Sequence, residues 1–221
     1  MSDLLKNKFV EAVKKSRDGL YIKSFEHISF PVLTVDAFLR DTRTEKLLSV
    51  LEKHQCKATF FVCGAWSEKY PQHIKKWDAL GCETANHSFS HSDFTTLSFQ
   101  EIVSEVTRTQ ELNQNASVNA KKYFRFPFGT FSFRELAIVK QMGYEVFLWN
   151  YDSFDVLEDG VRQVCDRLSD MKNGDIVLIH NDGLYTAEAL DLFLTEREKI
   201  GKPVFFKTIT EAIEAEKMDQ Q

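Results

Sequence analysis

The segment FPVLTVDAF, residues 30–38, places an apolar run directly before an aspartate, Asp36. A short apolar run that is rich in β-branched and aromatic residues is typical of a buried strand. Similar runs recur along the chain, and longer helical stretches separate them. The runs are 30–35, 58–63, 82–86, 123–126, 144–149, 175–180 and 203–206. Strands that alternate with helices predict a mostly parallel sheet with the helices packed outside it.

Short-range signals mark several helix boundaries. Three pairs have the spacing of a capping box, namely Ser98 with Glu101, Ser132 with Glu135 and Thr208 with Glu211. Gly81 and Gly143 follow helical stretches, where a left-handed residue is expected to end the helix. Because no linker interrupts the units, the sequence predicts an incomplete (β/α) barrel of about seven parallel strands. An open, doubly wound sheet is the alternative.

The composition is that of a globular chain of 221 residues, in which 28 Lys and Arg against 33 Asp and Glu give a net charge of −5. This balance argues against a general binder of nucleic acid or of anionic membranes, which needs a basic face. No apolar stretch approaches the roughly 18 residues of a membrane span. The first 20 residues lack the apolar core of a secretory signal and predict an amphipathic helix. We therefore divide the chain into an N-terminal helix and lead-in, 1–27, and one domain, 28–221.

The four cysteines are scattered along the chain without CxxC spacing, which argues against a structural zinc site. They are Cys56, Cys63, Cys82 and Cys165. Buried free thiols and a single disulfide both fit this pattern.

Polar or ionisable residues follow five of the seven predicted strands. In chain order they are Asp36, then His87 with His91, then 125–129, then Asp152 with Asp155, and His180. In parallel α/β proteins the chemistry takes place at the carboxyl ends of the strands, on the loops that follow them. The sequence therefore predicts one functional site at this edge of the sheet.

His87 and His91 are four residues apart in NHSFSH. On a helical turn this spacing puts both imidazoles on one face, where they can share a divalent metal ion. Two polar loop residues that bond locally are the alternative. A catalytic zinc normally takes a third protein ligand, and Asp36 is the candidate by position. Asp36 can equally cap the helix that follows it.

His180 ends the run DIVLIH, and a histidine at a strand end can protonate a leaving group. A histidine satisfied within the core is the alternative. Arg125 stands beside a Pro-Phe-Gly turn in FRFPFG. Its guanidinium can hold a carboxylate in a two-pronged pair, and the turn can aim backbone N–H groups at an anion. An ordinary surface loop is the other interpretation.

Taken in order, LTVDAF, NHSFSH, RFPFG, DSFDV and LIH resemble the five-motif series of the polysaccharide deacetylases, the NodB-homology domain of carbohydrate esterase family four. The resemblance covers about residues 28–210, and KATFFVCG also matches it. It implies a deformed (β/α) barrel that removes acetyl groups from chitin, chitooligosaccharides, peptidoglycan or xylan. It also implies a divalent metal, zinc above all, an acetylated polysaccharide as partner, and a secreted or cell-wall location.

The resemblance assigns a role to each matching residue. Catalytic roles fall to Asp36 as general base, His180 as general acid, Arg125 as the residue that orients the base, and Asp155 as the acid that tunes His180. The metal ligands are His87 and His91. Substrate contacts fall to Pro127, to Phe128, which stands where a tyrosine is usual, and to Leu178, which lines the pocket for the acetyl methyl group.

The first motif departs from the family pattern T-F-D-D-G, whose second aspartate is the third metal ligand. Ala37 occupies that position, Phe38 replaces the glycine, and Val156 replaces the tryptophan expected after Asp155. Residues that merely support metal ligands typically contribute ~10–100-fold to metal affinity, so loss of a ligand is serious. Two hypotheses follow. The chain is a metal-dependent deacetylase of chitin-like N-acetylglucosamine polymers, or it is a catalytically impaired homologue that binds carbohydrate.

Overall fold

The computed structural model describes residues 21–38, 43–157 and 160–219. The helix predicted for the first 20 residues lies outside these ranges. Within them, seven strands form one sheet. They are β1 (Val32–Ala37), β2 (Thr59–Val62), β3 (Glu83–Asn86), β4 (Ala120–Phe124), β5 (Glu145–Val146), β6 (Tyr151–Asp152) and β7 (Ile176–His180). All neighbouring strands run parallel in the order β5-β4-β3-β2-β1-β7-β6.

Six helices of the described ranges lie between consecutive strands in the chain, as the alternation in the sequence predicts, and two more follow β7. They are α1 (Thr44–Lys53), α2 (Gly64–Lys69), α3 (Pro71–Ala79), α4 (Phe99–Ala116), α5 (Phe133–Gln141), α6 (Val161–Ser169), α7 (Thr186–Lys199) and α8 (Ile209–Asp219). Two short 3₁₀ turns, Phe94–Thr96 and Pro127–Gly129, follow β3 and β4. No helix of the described ranges has both the length and the apolar character needed to cross a membrane.

The connection between β5 and β6 shows that the sheet is curled. Seven flat strands about 4.8 Å apart would separate the two edge strands by roughly 29 Å. Yet β5 and β6, which form opposite edges, are joined only by residues 147–150, and such a connection reaches roughly 17 Å. The sheet therefore curls into an incomplete α/β barrel, which confirms the predicted barrel over the open sheet.

Residues 21–24 run along the gap in this barrel. The backbone of Ile22 donates to the carbonyl of Val146, at 2.9 Å, and accepts from the N–H of Leu148, at 2.8 Å. Two residues further on, Ser24 bridges to Asp175, just ahead of β7. This segment therefore contacts the backbone on both sides of the gap.

Two predicted strands differ in the structure. The run 203–206 is irregular, because the backbone of Phe206 bonds to Lys57 while Lys207 bonds to the β1 strand, so no continuous ladder forms. The seventh strand is instead β6, which follows the short β5. The predicted run 144–149 pairs with β4 only at Glu145–Val146, since the chain beyond turns across the gap.

The strands divide the core into an inner and an outer layer. Leu33 and Val35 of β1 pack outward against the helices, while Val32 points into the barrel. The inner face near the carboxyl ends carries polar side chains, Thr34 and Asp36 among them. This alternation places Asp36 inside the mouth of the barrel.

Local capping signals are confirmed. The three predicted pairs form reciprocal side chain–backbone hydrogen bonds, and Gly81 and Gly143 have φ of 75° and 84°. All four cysteines are buried and free.

Candidate functional site

A cleft of about 540 Å³ opens at the carboxyl ends of β1 and β7. Its lining combines charged, polar and aromatic side chains. The residues are Asp36, Phe38, Ser90, His91, Phe128, Trp149, Asp152, Val156, Leu178 and His180. Residues that the sequence placed at separate strand ends therefore meet at one mouth, as predicted.

Arg125, which follows β4, is buried beneath this site. Its guanidinium donates from Nη1 to Oδ1 of Asp36 at 2.8 Å, and from Nη2 to Oγ1 of Thr34 at 2.9 Å. Nη2 also donates to the carbonyl of Leu148 at 3.0 Å, and the ring of Phe61 lies 4.1 Å from the guanidinium carbon. Arg125 has no exposed surface. It is thus a buried partner of a carboxylate, and the surface-loop interpretation is wrong.

Asp36 is surrounded by positive or polarisable groups. Its second oxygen, Oδ2, lies 3.3 Å from Nε2 of His87. Burial alone would raise the pKa of Asp36, but the neighbouring His87 and the positively charged Arg125 and His180 lower it below its ordinary value. Asp36 is therefore an ionised carboxylate at neutral pH, with one oxygen on the guanidinium and the other facing an imidazole.

His87 is a buried, neutral imidazole. Its Nδ1–H donates to the carbonyl of Arg125 at 2.9 Å, which leaves the lone pair of Nε2 facing Asp36. Burial lowers the pKa of His87, although Asp36 opposes this shift. Nε2 has no hydrogen-bond partner among the described residues. Within the described part of the chain it is a buried acceptor without a donor, and it lies behind the residues that line the cleft.

The segment that carries the two histidines is a loop, so the helical turn predicted for NHSFSH is wrong. Ser88 and His91 have φ of 66° and 59°, and this sharply bent backbone brings the rings of His87 and His91 to 4.9 Å between centroids. The first turn of α2 donates two N–H groups to the loop, and the carboxylate of Glu105 accepts two more from it at 2.8 Å. Two helices therefore hold the loop in its bend.

His91 is enclosed by aromatic rings. Phe38 stacks on it, with 4.3 Å between centroids and 15° between planes, and Phe128 meets it edge-on at 4.6 Å. Burial, with a smaller contribution from His87, lowers the pKa of His91 to about 4. His91 is therefore neutral at physiological pH and packs as part of an aromatic cluster.

His180 and Asp155 form an ion pair on the other side of the cleft. Asp155 is fully buried and accepts from Nδ1–H and from the backbone N–H of His180, both at 2.8 Å, and from the hydroxyl of Thr186. Burial alone would lower the pKa of His180, but the bond and charge of Asp155 outweigh it and raise that pKa. His180 thus retains its proton more readily than a free imidazole, as a proton donor requires.

The carboxylates, imidazoles and motif order at this mouth agree with the comparisons. Residues 29–147 match the family described as polysaccharide deacetylase. The chain belongs to the polysaccharide deacetylase family. It is 33% identical over 174 residues to the peptidoglycan-N-acetylmuramic acid deacetylase PdaA of Bacillus subtilis, which is 76% of this chain and 66% of that protein. A chitooligosaccharide deacetylase of Sinorhizobium fredii is 30% identical over 151 residues, 67% of this chain and 70% of the relative.

Solved structures of the same family have the same architecture. A family four carbohydrate esterase pseudoenzyme from Bacillus anthracis superposes with a TM-score of 0.77 at 27% identity, over 86% of this chain and 68% of that one. Several curated relatives are longer than this chain, which spans 53%, 62% and 66% of three Bacillus and Geobacillus proteins.

A divalent metal is implied for a polysaccharide deacetylase, and the described residues do not fit a three-ligand metal site. Ala37 holds the position of the third ligand, and its buried methyl group offers no ligand atom. Asp36, the carboxylate nearest to His87, is already bonded to Arg125. Within the described residues, no group of three His, Cys, Asp or Glu side chains is placed to hold a metal ion. The donor set is two imidazoles and one shared carboxylate.

Of the three residues predicted to contact substrate, two line the cleft and one does not. Phe128 and Leu178 line the cleft, whereas Pro127 is buried and is not among the described lining residues. Sequence reasoning missed Glu105, because it lies in a helix 14 residues beyond His91 and carries no motif. Trp149 ends a predicted strand, and that position was the signal that could have found it. Thr34 was also missed, and its position was the available signal: it lies two residues before Asp36 in β1, so both side chains are on the same face of the strand.

Proposed function

We propose that this protein binds N-acetylated sugar polymers in the cleft and has little or no metal-dependent deacetylase activity. The polymers in question are chitin-like or peptidoglycan-like chains of N-acetylglucosamine. The proposal rests on family membership for the substrate class and on one structural observation for the loss of activity. That observation is the methyl group of Ala37 where the family pattern requires a carboxylate.

Asp36 is a poor replacement for the missing ligand. Its Oδ1 accepts from Arg125, and its Oδ2 lies beside His87. A carboxylate that moved fully onto a metal ion would leave the buried guanidinium without its counter-charge, which is costly. It would also cease to act as a separate general base. The same group therefore serves poorly in both roles.

The walls of the cleft support carbohydrate binding. Phe128 is 65% exposed, and Trp149 and Val156 lie on the same lining. Rings and apolar groups of this kind cover the apolar faces of sugars, while the polar atoms of Ser90 and His180 can meet hydroxyl and acetamide groups. The cleft combines an apolar wall with a few convergent polar groups.

A working deacetylase is the second candidate, and two preserved pairs favour it. Asp36 with Arg125 is arranged as a carboxylate base held by a guanidinium, and His180 with Asp155 is arranged as a protonated acid. A Bacillus anthracis mutant of the pseudoenzyme, 28% identical to this chain, is described as having restored enzymatic activity. A family member that is called a pseudoenzyme can therefore be made active by mutation.

A zinc titration of the metal-stripped protein by calorimetry distinguishes the two candidates. We expect no tight binding at micromolar zinc, little acetate release from N-acetylchitooligosaccharides or from peptidoglycan glycan strands, and measurable binding of these sugars. Tight one-to-one binding of zinc together with acetate release would overturn the loss of activity. Absence of sugar binding would overturn the carbohydrate-binding part.

The variant Ala37→Asp tests the cause. Restoring the carboxylate is expected to raise zinc affinity by at least ~10–100-fold, the contribution of supporting residues alone. Ala37→Val is the matched control, because it adds similar volume at the same buried position without a ligand atom. Phe38→Gly, combined with Ala37→Asp, removes the ring stacked on His91. Equal zinc affinity in the Asp and Val variants would refute the role assigned to position 37.

A site of action follows from the substrate. Polymers of this kind form cell walls, so we propose a secreted or cell-wall location for the protein. Fractionation of cells that produce the chain, with detection in wall and cytosolic fractions, tests this part separately.

A further inference from the structure

A second cavity, of about 480 Å³, lies at the opposite end of the barrel from the cleft. Phe30 and Pro31 line it just before β1 begins, and Asn173 lines it shortly before β7. The end of α7 and the irregular segment 202–207 complete the wall. Because the amino ends of the strands meet here, the cavity is separate from the residues placed in the candidate functional site.

The cavity is positively charged in a chain whose net charge is −5. Its described lining includes Arg197, Lys202 and Lys207 and no Asp or Glu. Elsewhere basic side chains are commonly paired, as Lys46 is with Glu188 and Arg162 is with Glu196. The three lining cations therefore form a local exception to the charge of the chain.

Two of these cations have no counter-charge among the residues that the structure describes. Nε of Arg197 is buried without a hydrogen-bond partner, and neither Arg197 nor Lys202 forms an ion pair with a carboxylate of the described residues. A guanidinium presents parallel N–H groups that suit the paired oxygens of a phosphate or a carboxylate.

The third cation is held in place by an aromatic ring. The ammonium of Lys207 lies 4.6 Å from the ring centre of Phe30, in cation–π geometry. The charge of Lys207 contributes to lowering the pKa of Glu211, but Glu211 forms its ion pair with Lys57, at 2.8 Å. On the same wall the ring of Phe205 is 52% exposed. The cavity thus combines three cationic hydrogen-bond donors, which can bind an oxyanion, with an exposed ring for the organic part of a ligand.

We propose that this cavity is a second binding site, which takes a small organic oxyanion, a phosphate or carboxylate attached to a flat apolar group. Arg197 and Lys202 bind the oxyanion, Lys207 adds charge from above Phe30, and Phe205 covers the organic group. The volume lies within the range of about 300–1,000 Å³ that is typical of small-molecule sites. The ligand enters from the face opposite the sugar cleft, so both sites can be filled together.

Titration of the full chain with phenyl phosphate, benzoate and phenol, followed by amide NMR, tests the proposal. We expect the two anions to bind and to shift the amides of residues 202–207, with phenol at least about tenfold weaker, because it lacks the charge-assisted hydrogen bonds. Tighter binding of phenyl phosphate assigns the natural ligand to the phosphates, and tighter binding of benzoate assigns it to the carboxylates. Shifts confined to the amides around Asp152 and His180 would overturn the site.

Arg197→Gln and Lys202→Ala are expected to weaken anion binding by about tenfold each. Lys202 is exposed, so its variant keeps the test valid if the Arg197 variant does not fold. Lys75→Ala, an exposed position on α3 outside the cavity lining, changes the net charge equally and is the matched control. Equal losses in the Lys75 and Lys202 variants would show that the binding depends on net charge alone and would refute the site.

Discussion

The pair formed by Asp36 and Arg125 allows the most direct test of the site's energetics. Arg125 has no exposed surface, and Asp36 is its one carboxylate partner at 2.8 Å; the other acceptors in the described structure, including Thr34, are neutral. Replacing Asp36 by Ala leaves this guanidinium buried without a counter-charge. Breaking a buried pair in this way typically costs about 3–5 kcal/mol. We expect the free energy of unfolding to fall by that amount.

Thr34→Val provides a scale for this effect. It removes one neutral acceptor from the same guanidinium at nearly constant shape, which is expected to cost about 1–3 kcal/mol. Asp36→Asn keeps the shape and removes the charge, so its loss is expected to lie between those of the other two variants. Urea unfolding monitored by tryptophan fluorescence and by circular dichroism gives all three values, provided that the dependence on urea concentration is unchanged.

The contribution of Asp36 also has a defined pH dependence. Burial opposes its ionisation, yet the neighbouring positive charges hold its pKa below the ordinary 3.8 in the folded protein. A carboxyl group with a lowered folded pKa stabilises the fold above its unfolded pKa, and this stabilisation is lost as the pH falls through the folded pKa. The stability difference between the unchanged protein and Asp36→Asn is therefore expected to be constant near neutrality and to shrink below about pH 4.

Two results would refute this reasoning. If Asp36→Ala lowered the free energy of unfolding no more than Thr34→Val, the buried Arg125 would not need Asp36 as its counter-charge. If the difference between the unchanged protein and Asp36→Asn grew on acidification, the sign of the pKa shift would be wrong.

Two further predictions concern the acid and the histidine loop. Asp155→Asn leaves burial as the dominant influence on the pKa of His180. That pKa is expected to fall from above to below the usual 6.5, and NMR titration of the imidazole measures it. An unchanged pKa would contradict the pairing of His180 with Asp155. Gly64→Ala would bring a Cβ within 2.4 Å of Phe89, so we expect a loss of about 1–3 kcal/mol in thermal or urea unfolding, and Phe89→Ala added to it should recover part of that loss.

The site shows how far interpretation of the sequence reaches. The placement of Asp36 and His180 at strand ends was predictable, because an apolar run of strand length that stops at a polar residue identifies a strand end. The spacing of His87 and His91 predicted their proximity and gave the wrong conformation. The loop is bent by contacts from α2 and from Glu105, which are distant in the chain, and no local pattern reveals them.

The sequence by itself determined the features that depend on neighbours a few residues apart. The capping box of Ser98 with Glu101 and the left-handed Gly81 are of this kind, since their bonds close within one turn. The tertiary structure alone decided the rest. The 203–206 run is apolar like a strand, but Phe206 bonds to Lys57 while the next residue, Lys207, bonds to the start of β1, so no continuous ladder forms. Arg125 meets Asp36 across 89 residues of chain, and only the curl of the sheet brings a buried guanidinium to that carboxylate.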